Sequence, residues 1–305
     1  MKNYKRIKLD CPIDWLEEDL NLYLNSHGFM IDNSSPNYLV VNPGTDRFLG
    51  EDYFSDYPTL VHVGTPSTGK NHVDTDLLAK KRVKFSSLLD NRDELTKITA
   101  SSEFTWLHIM SAYRMFLAAL AGTASWRETA NESKLRSRQL SGATIGIIGF
   151  GRIGQNIARY ALAFGMRVKF YDPHIYRQRH NATKEYSIAD LATCDIISIN
   201  CSLNESSTNL ISRGTFENFK DGLVIVNTSR GEVIDEDYIC DLVEAKKIIY
   251  SCDVVRNEQN AALLGKTRIF KLANDPSMEL HITPHVAGAT VDSQKIALEG
   301  ILSLM

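Results

Sequence analysis

The segment from Thr144 to Gly154, TIGIIGFGRIG, constrains the fold of this chain more than any other. It opens with an apolar run typical of a parallel-sheet strand covered on both faces, and apolar residues then recur at helical spacing from Gln155 to Phe164. Gly149, Gly151 and Gly154 therefore fall where a strand turns into a helix. In such a turn the first glycine permits a tight bend, the second lets a pyrophosphate approach the backbone, and the third lets helix and strand pack closely. The segment predicts a dinucleotide site, to which the helix N-terminus adds amide donors and positive potential.

An acidic residue follows the next predicted strand. That strand, Arg167–Tyr171, ends in Asp172, near the spacing of about 20 residues at which a carboxylate binds the adenosine ribose hydroxyls. A carboxylate at this place would repel a 2′-phosphate, so Asp172 favours NAD over NADP. The alternative is that Asp172 only opens the turn before Pro173.

Composition and charge exclude several classes of protein. The chain has 305 residues, 43% hydrophobic and 23% charged, which is long enough for two domains with separate cores. The formal net charge of -3 gives no global attraction to nucleic acid or anionic membranes. The one compact basic run, Lys80–Arg82, is typical of a solvated helix end. We therefore expect neither a nucleic-acid nor a membrane partner.

The cysteines and the N-terminus indicate the compartment. The five cysteines are odd in number and form no C-x-x-C pair, which argues against a disulfide framework and against a zinc site. Reduced thiols fit a cytoplasmic protein without a metal. Met1–Asp10 is charged without an apolar core, and no segment approaches about 18 consecutive apolar residues, so no targeting segment or membrane span is predicted.

Strands and helices alternate in both parts of the chain. A helix at Pro12–Ser26 and strands at Tyr38–Val41 and Leu60–Val63 predict a small parallel α/β domain. A long apolar helix, Glu103–Gly122, then leads into a polar stretch where the domain changes. Later strands are predicted at Ile196–Asn200, Leu223–Asn227 and Ile248–Val254, with a helix at Asp235–Glu244. The expected fold class is α/β, with two doubly wound parallel-sheet domains, of which the larger is a Rossmann domain.

Three later segments carry side chains suited to chemistry. Arg230 follows a buried strand at its carboxyl end, where open α/β sheets bind ligands and an arginine can hold a carboxylate through two parallel hydrogen bonds. Asp253 ends the next strand, and Glu258 lies in the following loop. His285 lies between a strand and a helix start, and imidazole is the side chain poised for proton transfer near neutral pH. Taken singly, each could be an ordinary surface charge or a structural histidine.

Together these ordered segments resemble the D-isomer-specific 2-hydroxyacid dehydrogenase family, which includes phosphoglycerate, glycerate, lactate and hydroxypyruvate dehydrogenases or reductases. The resemblance covers nearly the whole chain. Its most specific parts are Gly149–Gly154 with Asp172, Asn227–Gly231, Asp253 with Glu258, and Pro284–Gly288. It implies an oxidoreductase that transfers a hydride between NAD(H) and a D-2-hydroxy acid/2-oxo acid pair, with a flavodoxin-like substrate domain beside the Rossmann domain.

The resemblance also implies roles for individual residues. His285 would be the acid/base, Glu258 would support its imidazole, and Arg230 would orient the substrate carboxylate. The Ser67, Thr68 and Gly69 turn is similar to the family's substrate-carboxylate loop, in which backbone amides bind. The residues predicted to line the cofactor site are Gly149, Gly151, Arg152, Ile153, Gly154, Asp172, Cys201, Ser202, Ser207, Thr228, Ser229, Arg230, Asp253, His285 and Gly288.

Domain limits and assembly follow from the same likeness. Residues 1–102 would form the substrate domain, completed by the C-terminal helix 286–305, and residues 103–285 would form the NAD-binding domain. Members of the family dimerise through an arm between the long helix and the glycine-turn strand, where this chain has Ala121–Leu140. A homodimer is therefore expected. Because the chain stops at Met305, no appended regulatory domain is expected.

The chain departs from the family pattern at two places that bear on the site. The family commonly has His-x-Pro and then a threonine after the strand at Ile196, where this chain has Asn200, Cys201, Ser202 and then Ser207. The proline that follows the family's catalytic glutamate is replaced by Gln259. The carboxylate is kept, so the chemistry is still expected.

Two other functions and one substrate feature remain open at this stage. A corepressor-like protein that binds NAD(H) as a sensor could carry the same residues, since the family includes such proteins. A different Rossmann ligand or chemistry, such as S-adenosylmethionine binding or adenosylhomocysteine hydrolysis, would suit Asp172 but not the arginine and histidine segments. Arg47 could pair with a second anionic group on the substrate, or it could be a solvated loop residue.

Overall fold

The computed structural model describes residues 4–11, 19–42, 47–70, 72–121, 129–258 and 260–305. The chain divides into two compact units, of which the first comprises residues 1–98 with 289–305 and the second comprises residues 99–288. The sequence predicted that the domains would change at residues 102 and 285, and the substrate role of the first unit stays a prediction.

The first unit is built on a parallel sheet. Its elements up to residue 97 are β1 (Lys5–Asp10), α1 (Leu20–Ser26), β2 (Phe29–Ile31), β3 (Tyr38–Val41), α2 (Glu51–Phe54), β4 (His62–Thr65), α3 (Thr75–Lys80), β5 (Lys84–Ser87) and α4 (Arg92–Lys97). Within the described ranges the strands run in the order β2-β1-β3-β4-β5, and each neighbouring pair is parallel. This is the flavodoxin-like order that was predicted for the smaller domain.

The second unit carries the glycine turn. Its elements are α5 (Ala100–Tyr113), α6 (Phe116–Ala121), α7 (Thr129–Lys134), β6 (Thr144–Ile148), α8 (Arg152–Ala163), β7 (Arg167–Tyr171), β8 (Thr183–Lys184), β9 (Ile196–Ile199), β10 (Leu223–Asn227), α9 (Glu236–Glu244), β11 (Ile248–Cys252), α10 (Ala261–Leu264), α11 (Arg268–Ala273) and β12 (Leu280–Ile282). The described strands form one parallel sheet in the order β12-β11-β10-β9-β6-β7-β8. Strand order reverses between β6 and β9, as in a Rossmann sheet, so the predicted α/β class is confirmed.

Both faces of this second sheet are covered. Along β10, Leu223 and Ile225 belong to one buried cluster, whereas Val224 and Val226 belong to another. The first cluster includes residues of α9, and the second includes residues of α5 and α8. Successive side chains of a strand point to opposite faces, which explains why these strands are apolar throughout.

Two helices differ from the sequence prediction. The long helix expected at Glu103–Gly122 is divided into α5 and α6, because Met115 between them adopts a left-handed φ of 51°. The helix expected at Pro12–Ser26 is described from Leu20 onward, where Asp19 caps it by accepting hydrogen bonds from two backbone amides. Residues 12–18 lie outside the described ranges.

The last helix, α12 (Val291–Leu302), belongs to the first unit. Its Ile301 packs so closely on β4 that a Cβ on Gly64 would come within 2.5 Å of the isoleucine side chain. Among the residues that the structure describes, no helix is long and apolar enough to cross a membrane.

Candidate active site

In the glycine turn after β6, an added Cβ would find free space at one glycine and would clash with neighbouring atoms at the other two. Gly149 has a φ of 84°, and a Cβ there would lie 2.7 Å from the Cα of Cys201. A Cβ on Gly154 would overlap the carbonyl oxygen of Gly149, so helix and strand pack closely here. A Cβ on Gly151, the N-cap residue of α8, would meet nothing within 4 Å. The open position is the one at which a pyrophosphate approaches the backbone in dinucleotide-binding turns.

Asp172, directly after β7, is bound to this turn. Its Oδ2 accepts a hydrogen bond from the Phe150 amide at 2.8 Å, and its Oδ1 accepts one from the His174 amide at 2.8 Å. The carboxylate therefore connects the carboxyl ends of β6 and β7. An ionised carboxylate has about four acceptor positions, so two protein donors leave capacity for ribose hydroxyls.

The loop after β9 contains three more of the residues that are predicted to line the cofactor site. Cys201 is half-buried, and burial raises the pKa of its thiol to about 11, so the thiol is neutral. Ser202 is exposed, and its carbonyl accepts a hydrogen bond from the Ser207 hydroxyl at 2.8 Å. The Ser207 oxygen also accepts from the Asn204 amide at 2.8 Å. Ser207 is buried, so its hydroxyl stabilises the conformation of the loop and does not lie on the loop surface.

Asn227, the last residue of β10, shapes the loop that carries Arg230. Its side-chain oxygen accepts hydrogen bonds from the amide and hydroxyl of Ser229, and its side-chain nitrogen donates to the Arg230 carbonyl. Thr228 contacts Thr105 of α5 through a pair of hydroxyls 2.6 Å apart. The half-buried guanidinium of Arg230 donates to the Ser229 carbonyl at 2.7 Å.

The loops after β10 and β11 lie against each other. A Cβ on Gly231 would overlap the backbone of Val255 and Arg256, so only glycine fits at this contact. The Arg256 side chain reaches across to the carbonyls of Glu232 and Ile234, and its Nη2 also contacts Asn209. One guanidinium therefore fixes the segment leading to Glu258 on the turn that follows Arg230.

Asp253 lies at the end of β11 and is 1% exposed. Its Oδ1 accepts hydrogen bonds from the Thr283 hydroxyl at 2.5 Å and from the Val286 amide at 3.0 Å, and its Oδ2 accepts one from the Ala287 amide at 2.7 Å. The carboxylate thus holds the turn just after His285. Its direct contact with the cofactor, expected from the sequence, stays a prediction.

His285 and Glu258 come together in the structure. The His285 Nδ1 lies 2.8 Å from the Glu258 Oε1, and the two side chains are 31% and 13% exposed. Arg230, Glu258 and His285 follow β10, β11 and β12, which are adjacent parallel strands. The carboxyl ends of parallel strands meet at one edge of a sheet, so all three loops lie at the same edge. Gly288 follows, where a Cβ would lie 3.5 Å from the Ser101 hydroxyl.

The Ser67–Gly69 turn belongs to the first unit and follows β4. The Ser67 hydroxyl donates to the Gly69 carbonyl at 2.6 Å, and the Thr65 hydroxyl lies 3.2 Å from the Ser67 hydroxyl and 3.1 Å from the His72 Nε2. Burial lowers the pKa of His72, which favours the neutral form of its imidazole. These side-chain contacts stabilise the turn, and the Thr68 side chain takes no part in them.

Arg47 of the first unit lies against its own unit. Its guanidinium is 3.9 Å from the Asp10 carboxylate and 4.8 Å from the ring centroid of Tyr53, whose hydroxyl donates to Asp10 at 2.5 Å. These contacts are an exposed ion pair and an aromatic contact, and the pairing of Arg47 with a second anionic group of the substrate stays a prediction. Asn71, Gln259 and residues 43–46 lie outside the described ranges.

Sequence reasoning missed His108, Thr283 and Arg256, which connect the loops of this site. No local signal marks a lone histidine in an apolar helix or an arginine in a loop as a connecting residue. Within the described ranges no group of three His, Cys, Asp or Glu side chains could hold a metal ion.

The parallel sheet, the glycine turn at its switch point and the acidic residue after the next strand define the second unit as a dinucleotide-binding Rossmann domain. A family model described as D-isomer specific 2-hydroxyacid dehydrogenase, NAD binding domain, matches residues 106–287. This chain belongs to the D-isomer specific 2-hydroxyacid dehydrogenase family, and its second unit carries the NAD-binding domain of that family.

Curated relatives agree with this assignment, and a solved structure shares the fold. Hydroxypyruvate reductase of Thermotoga maritima is 36% identical over 179 residues, which are 57% of this chain and 55% of that protein. 4-Methyl-2-oxopentanoate reductase A of Aspergillus oryzae is 33% identical over 161 residues, 52% of this chain and 46% of the relative. The matches thus span about half the length of these relatives. The structure of D-lactate dehydrogenase from Aquifex aeolicus with NAD and lactic acid superposes with a TM-score of 0.77 at 23% identity, covering 98% of this chain and 94% of that one, and shares the fold.

Proposed function

We propose that this chain is an NAD-dependent D-2-hydroxyacid dehydrogenase that interconverts a small D-2-hydroxy acid and its 2-oxo acid. The observation that carries the proposal is the 2.8 Å contact between His285 Nδ1 and Glu258 Oε1 at the sheet edge that also carries Arg230. A histidine oriented by a carboxylate is the arrangement used for proton transfer in many enzymes.

His285 would exchange its proton with the substrate oxygen at C2. Glu258 engages the Nδ1 nitrogen, so Nε2 is the nitrogen left to face the substrate. In reduction, protonated His285 gives the Nε2 proton to the 2-oxo oxygen, and in oxidation neutral His285 takes it from the 2-hydroxyl. The carboxylate of Glu258 stabilises the imidazolium form and holds the ring in place.

Arg230 would hold the substrate carboxylate through paired hydrogen bonds. The loop contacts made by Asn227 set its backbone before substrate arrives, which reduces the ordering cost at binding. We also propose, from the family likeness, that the backbone amides of Ser67, Thr68 and Gly69 bind the carboxylate.

The cradle formed by Gly149, Gly151 and Gly154 fits a pyrophosphate, because Gly151 is open and the other two glycines allow the close packing around it. Asp172 would bind the adenosine ribose, and Arg152, Ile153, Thr228 and Ser229 would border the same cofactor. When bound, the nicotinamide supplies or accepts the hydride.

Assembly and location are also proposals. On α6 the side chains of Phe116, Leu117 and Leu120 are exposed, and a cluster of exposed apolar residues favours burial against another protein surface. We propose a homodimer that uses this region. Residues 122–128 of the predicted arm lie outside the described ranges, and the cytoplasmic location stays a prediction.

The test is NADH oxidation measured with a panel of 2-oxo acids that includes hydroxypyruvate, 4-methyl-2-oxopentanoate and pyruvate. We expect turnover with at least one, and we expect His285→Ala to lower kcat about 10²–10⁴-fold. Arg230→Ala should lower kcat and raise KM, because orientation and carboxylate binding are both lost. NADH binding should persist in both variants, and the surface substitutions Arg213→Ala and His27→Ala serve as controls. NADH binding without turnover on any acid would indicate a sensor protein instead.

A further inference from the structure

A buried histidine of α5 lies behind the loop that carries His285. His108 is 5% exposed, and both of its ring nitrogens have partners. Its Nδ1 lies 2.7 Å from the Ser251 hydroxyl on β11, and its Nε2 lies 3.1 Å from the Thr283 hydroxyl, just after β12. Burying an imidazole costs free energy unless its nitrogens are hydrogen-bonded, so these two contacts are what permit His108 at this position.

The hydrogen bonds around His108 run in one direction. The single hydroxyl proton of Thr283 is donated to Asp253 at 2.5 Å, so toward His108 the Thr283 oxygen can only accept. The His108 Nε2 must therefore carry a proton and donate it. Burial lowers the pKa of His108, which favours the neutral ring, and in that tautomer the Nδ1 accepts from the Ser251 hydroxyl. The chain of donors thus runs from Ser251 through His108 and Thr283 to Asp253.

This series of hydrogen bonds ends at the turn after His285. Asp253 accepts the amides of Val286 and Ala287, the two residues that follow His285. His285 has a φ of 55°, in the left-handed region that non-glycine residues seldom adopt. A backbone in such a conformation persists only when its surroundings hold it there. The two amide contacts with Asp253 are suited to that purpose, and they require the carboxylate to stay oriented.

We propose that His108 is a positioning residue for His285, acting through Thr283 and Asp253 on the turn that fixes the imidazole in contact with Glu258. The effect on the turn is a property of the second unit alone. The expected effect on turnover rests on the proposed dehydrogenase function. In the simpler alternative, His108 and Ser251 only join α5 to the sheet and have no influence on the turn.

The experiment compares His108→Leu with His108→Gln in the full chain. Leucine removes both hydrogen bonds, whereas glutamine keeps a donor for Thr283 and an acceptor for Ser251. The control is Thr144→Val, which removes a buried threonine hydroxyl that accepts from Arg167 at 3.1 Å, at the amino end of β6. The measurements are amide hydrogen exchange at Val286 and Ala287, the NADH dissociation constant, and kcat and KM with the best 2-oxo acid.

We expect His108→Leu to speed exchange at both amides about tenfold and to lower kcat about tenfold. This is the usual effect of losing one buried hydrogen bond, and of the two that leucine removes only the bond to Thr283 leads to the turn. KM and the NADH dissociation constant should stay within about twofold, because Arg230 and the glycine turn are untouched. His108→Gln should recover most of both effects. Thr144→Val should change neither.

A second pair of variants covers the case in which His108→Leu does not fold. Thr283→Val removes the hydroxyl between His108 and Asp253 and should reproduce the faster exchange and lower kcat, whereas Thr283→Ser should retain wild-type values. Wild-type exchange and kcat in both His108→Leu and Thr283→Val, or faster exchange with unchanged kcat, would overturn the positioning role. If wild type reduces no 2-oxo acid, the dehydrogenase proposal fails, and the exchange rates alone still decide whether His108 holds the turn.

Discussion

The Nδ1 of His285 lies 2.8 Å from the Oε1 of Glu258, although the two residues are 27 positions apart and follow different strands. β11 and β12 are parallel neighbours, so the loops that follow them start at the same edge of the sheet. The contact therefore depends on strand order and on the two loops being held: Arg256 fixes the segment before Glu258, and Asp253 fixes the turn after His285. Two separately anchored loops give the histidine a defined orientation before any substrate binds.

The first prediction concerns the charge of Glu258. Glu258→Gln keeps an oxygen that can accept from His285 but removes the negative charge, so the protonated imidazole loses its stabilising partner. We expect kcat for 2-oxo acid reduction to fall about 10-fold to 100-fold. Steady-state rates of wild type and variant with the best 2-oxo acid check this.

The matched control for this substitution is Glu217→Gln, an exposed carboxylate of the same unit. It should leave kcat as in wild type. A Glu258→Gln enzyme with wild-type kcat would show that Glu258 does not act on His285.

The second prediction concerns the choice between NADH and NADPH. The Asp172 carboxylate adds negative charge where a 2′-phosphate would lie, so wild type should bind NADH at least about tenfold more tightly. Asp172→Asn should narrow this difference. It should also lower stability slightly, since an amide has a single oxygen for the Phe150 and His174 backbone donors.

Fluorescence titration with both nucleotides, with the exposed-residue variant Asp221→Asn as control, gives the two dissociation constants. If wild type bound NADH and NADPH equally tightly, the Asp172 carboxylate would not determine the choice of nucleotide.

The fold was predictable because its main signals are local in the sequence. The glycine turn and the buried strands are short segments whose spacing alone indicates a parallel sheet with a nucleotide at its carboxyl edge. The break between α5 and α6 was not predictable, because Met115 adopts a left-handed φ without a glycine or proline to signal it.

The functional residues also differ in whether the sequence alone could identify them. Arg230, Glu258 and His285 stand in recognisable segments, so each could be proposed from the sequence. His108 could not, because its partners Ser251 and Thr283 lie 143 and 175 positions away and no local pattern connects them. The burial of Asp253 against the turn also depends on contacts 33 and 34 positions distant. Tertiary packing alone determines which polar residues support a catalytic loop.

The third prediction concerns the acid stability of the first unit. His62 of β4 is 4% exposed and lies 2.9 Å from the Ser86 hydroxyl, and burial, with Lys84 and Lys5 nearby, lowers its pKa to about 4. The unfolded state, with a histidine pKa of about 6.5, takes up the proton first as pH falls. The free energy of unfolding should therefore be highest above pH 6.5 and should decline through the window down to about 4.

From pH 7 to pH 4.5 this residue should remove about 2–3 kcal/mol of stability. The check is amide hydrogen exchange of β3 and β4 at the two pH values. His62→Gln cannot titrate, so it should lose less stability over this window, whereas His27→Gln, at an exposed site, should behave as wild type does. Identical pH dependence in wild type and His62→Gln would contradict the argument.

The last prediction separates two glycines of the nucleotide turn. A Cβ on Gly154 would overlap the Gly149 carbonyl, so Gly154→Ala must push α8 away from β6. Overpacking of this kind costs about 1–3 kcal/mol, which should appear as a lower melting temperature. A Cβ on Gly151 meets nothing within 4 Å, and its φ of -73° suits any residue, so Gly151→Ala should fold with wild-type stability.

Gly151→Ala should nevertheless lose nucleotide affinity, because the added methyl group occupies the space through which a pyrophosphate reaches the backbone amides at the start of α8. We expect the NADH dissociation constant to rise about tenfold or more, equivalent to losing one or two phosphate hydrogen bonds. Calorimetric melting and NADH titration of the two variants give the comparison, with Gly214→Ala, at another open glycine, as the control for the added methyl. If Gly151→Ala binds NADH as tightly as wild type does, the pyrophosphate does not approach this backbone, and the glycine turn would not be the nucleotide site.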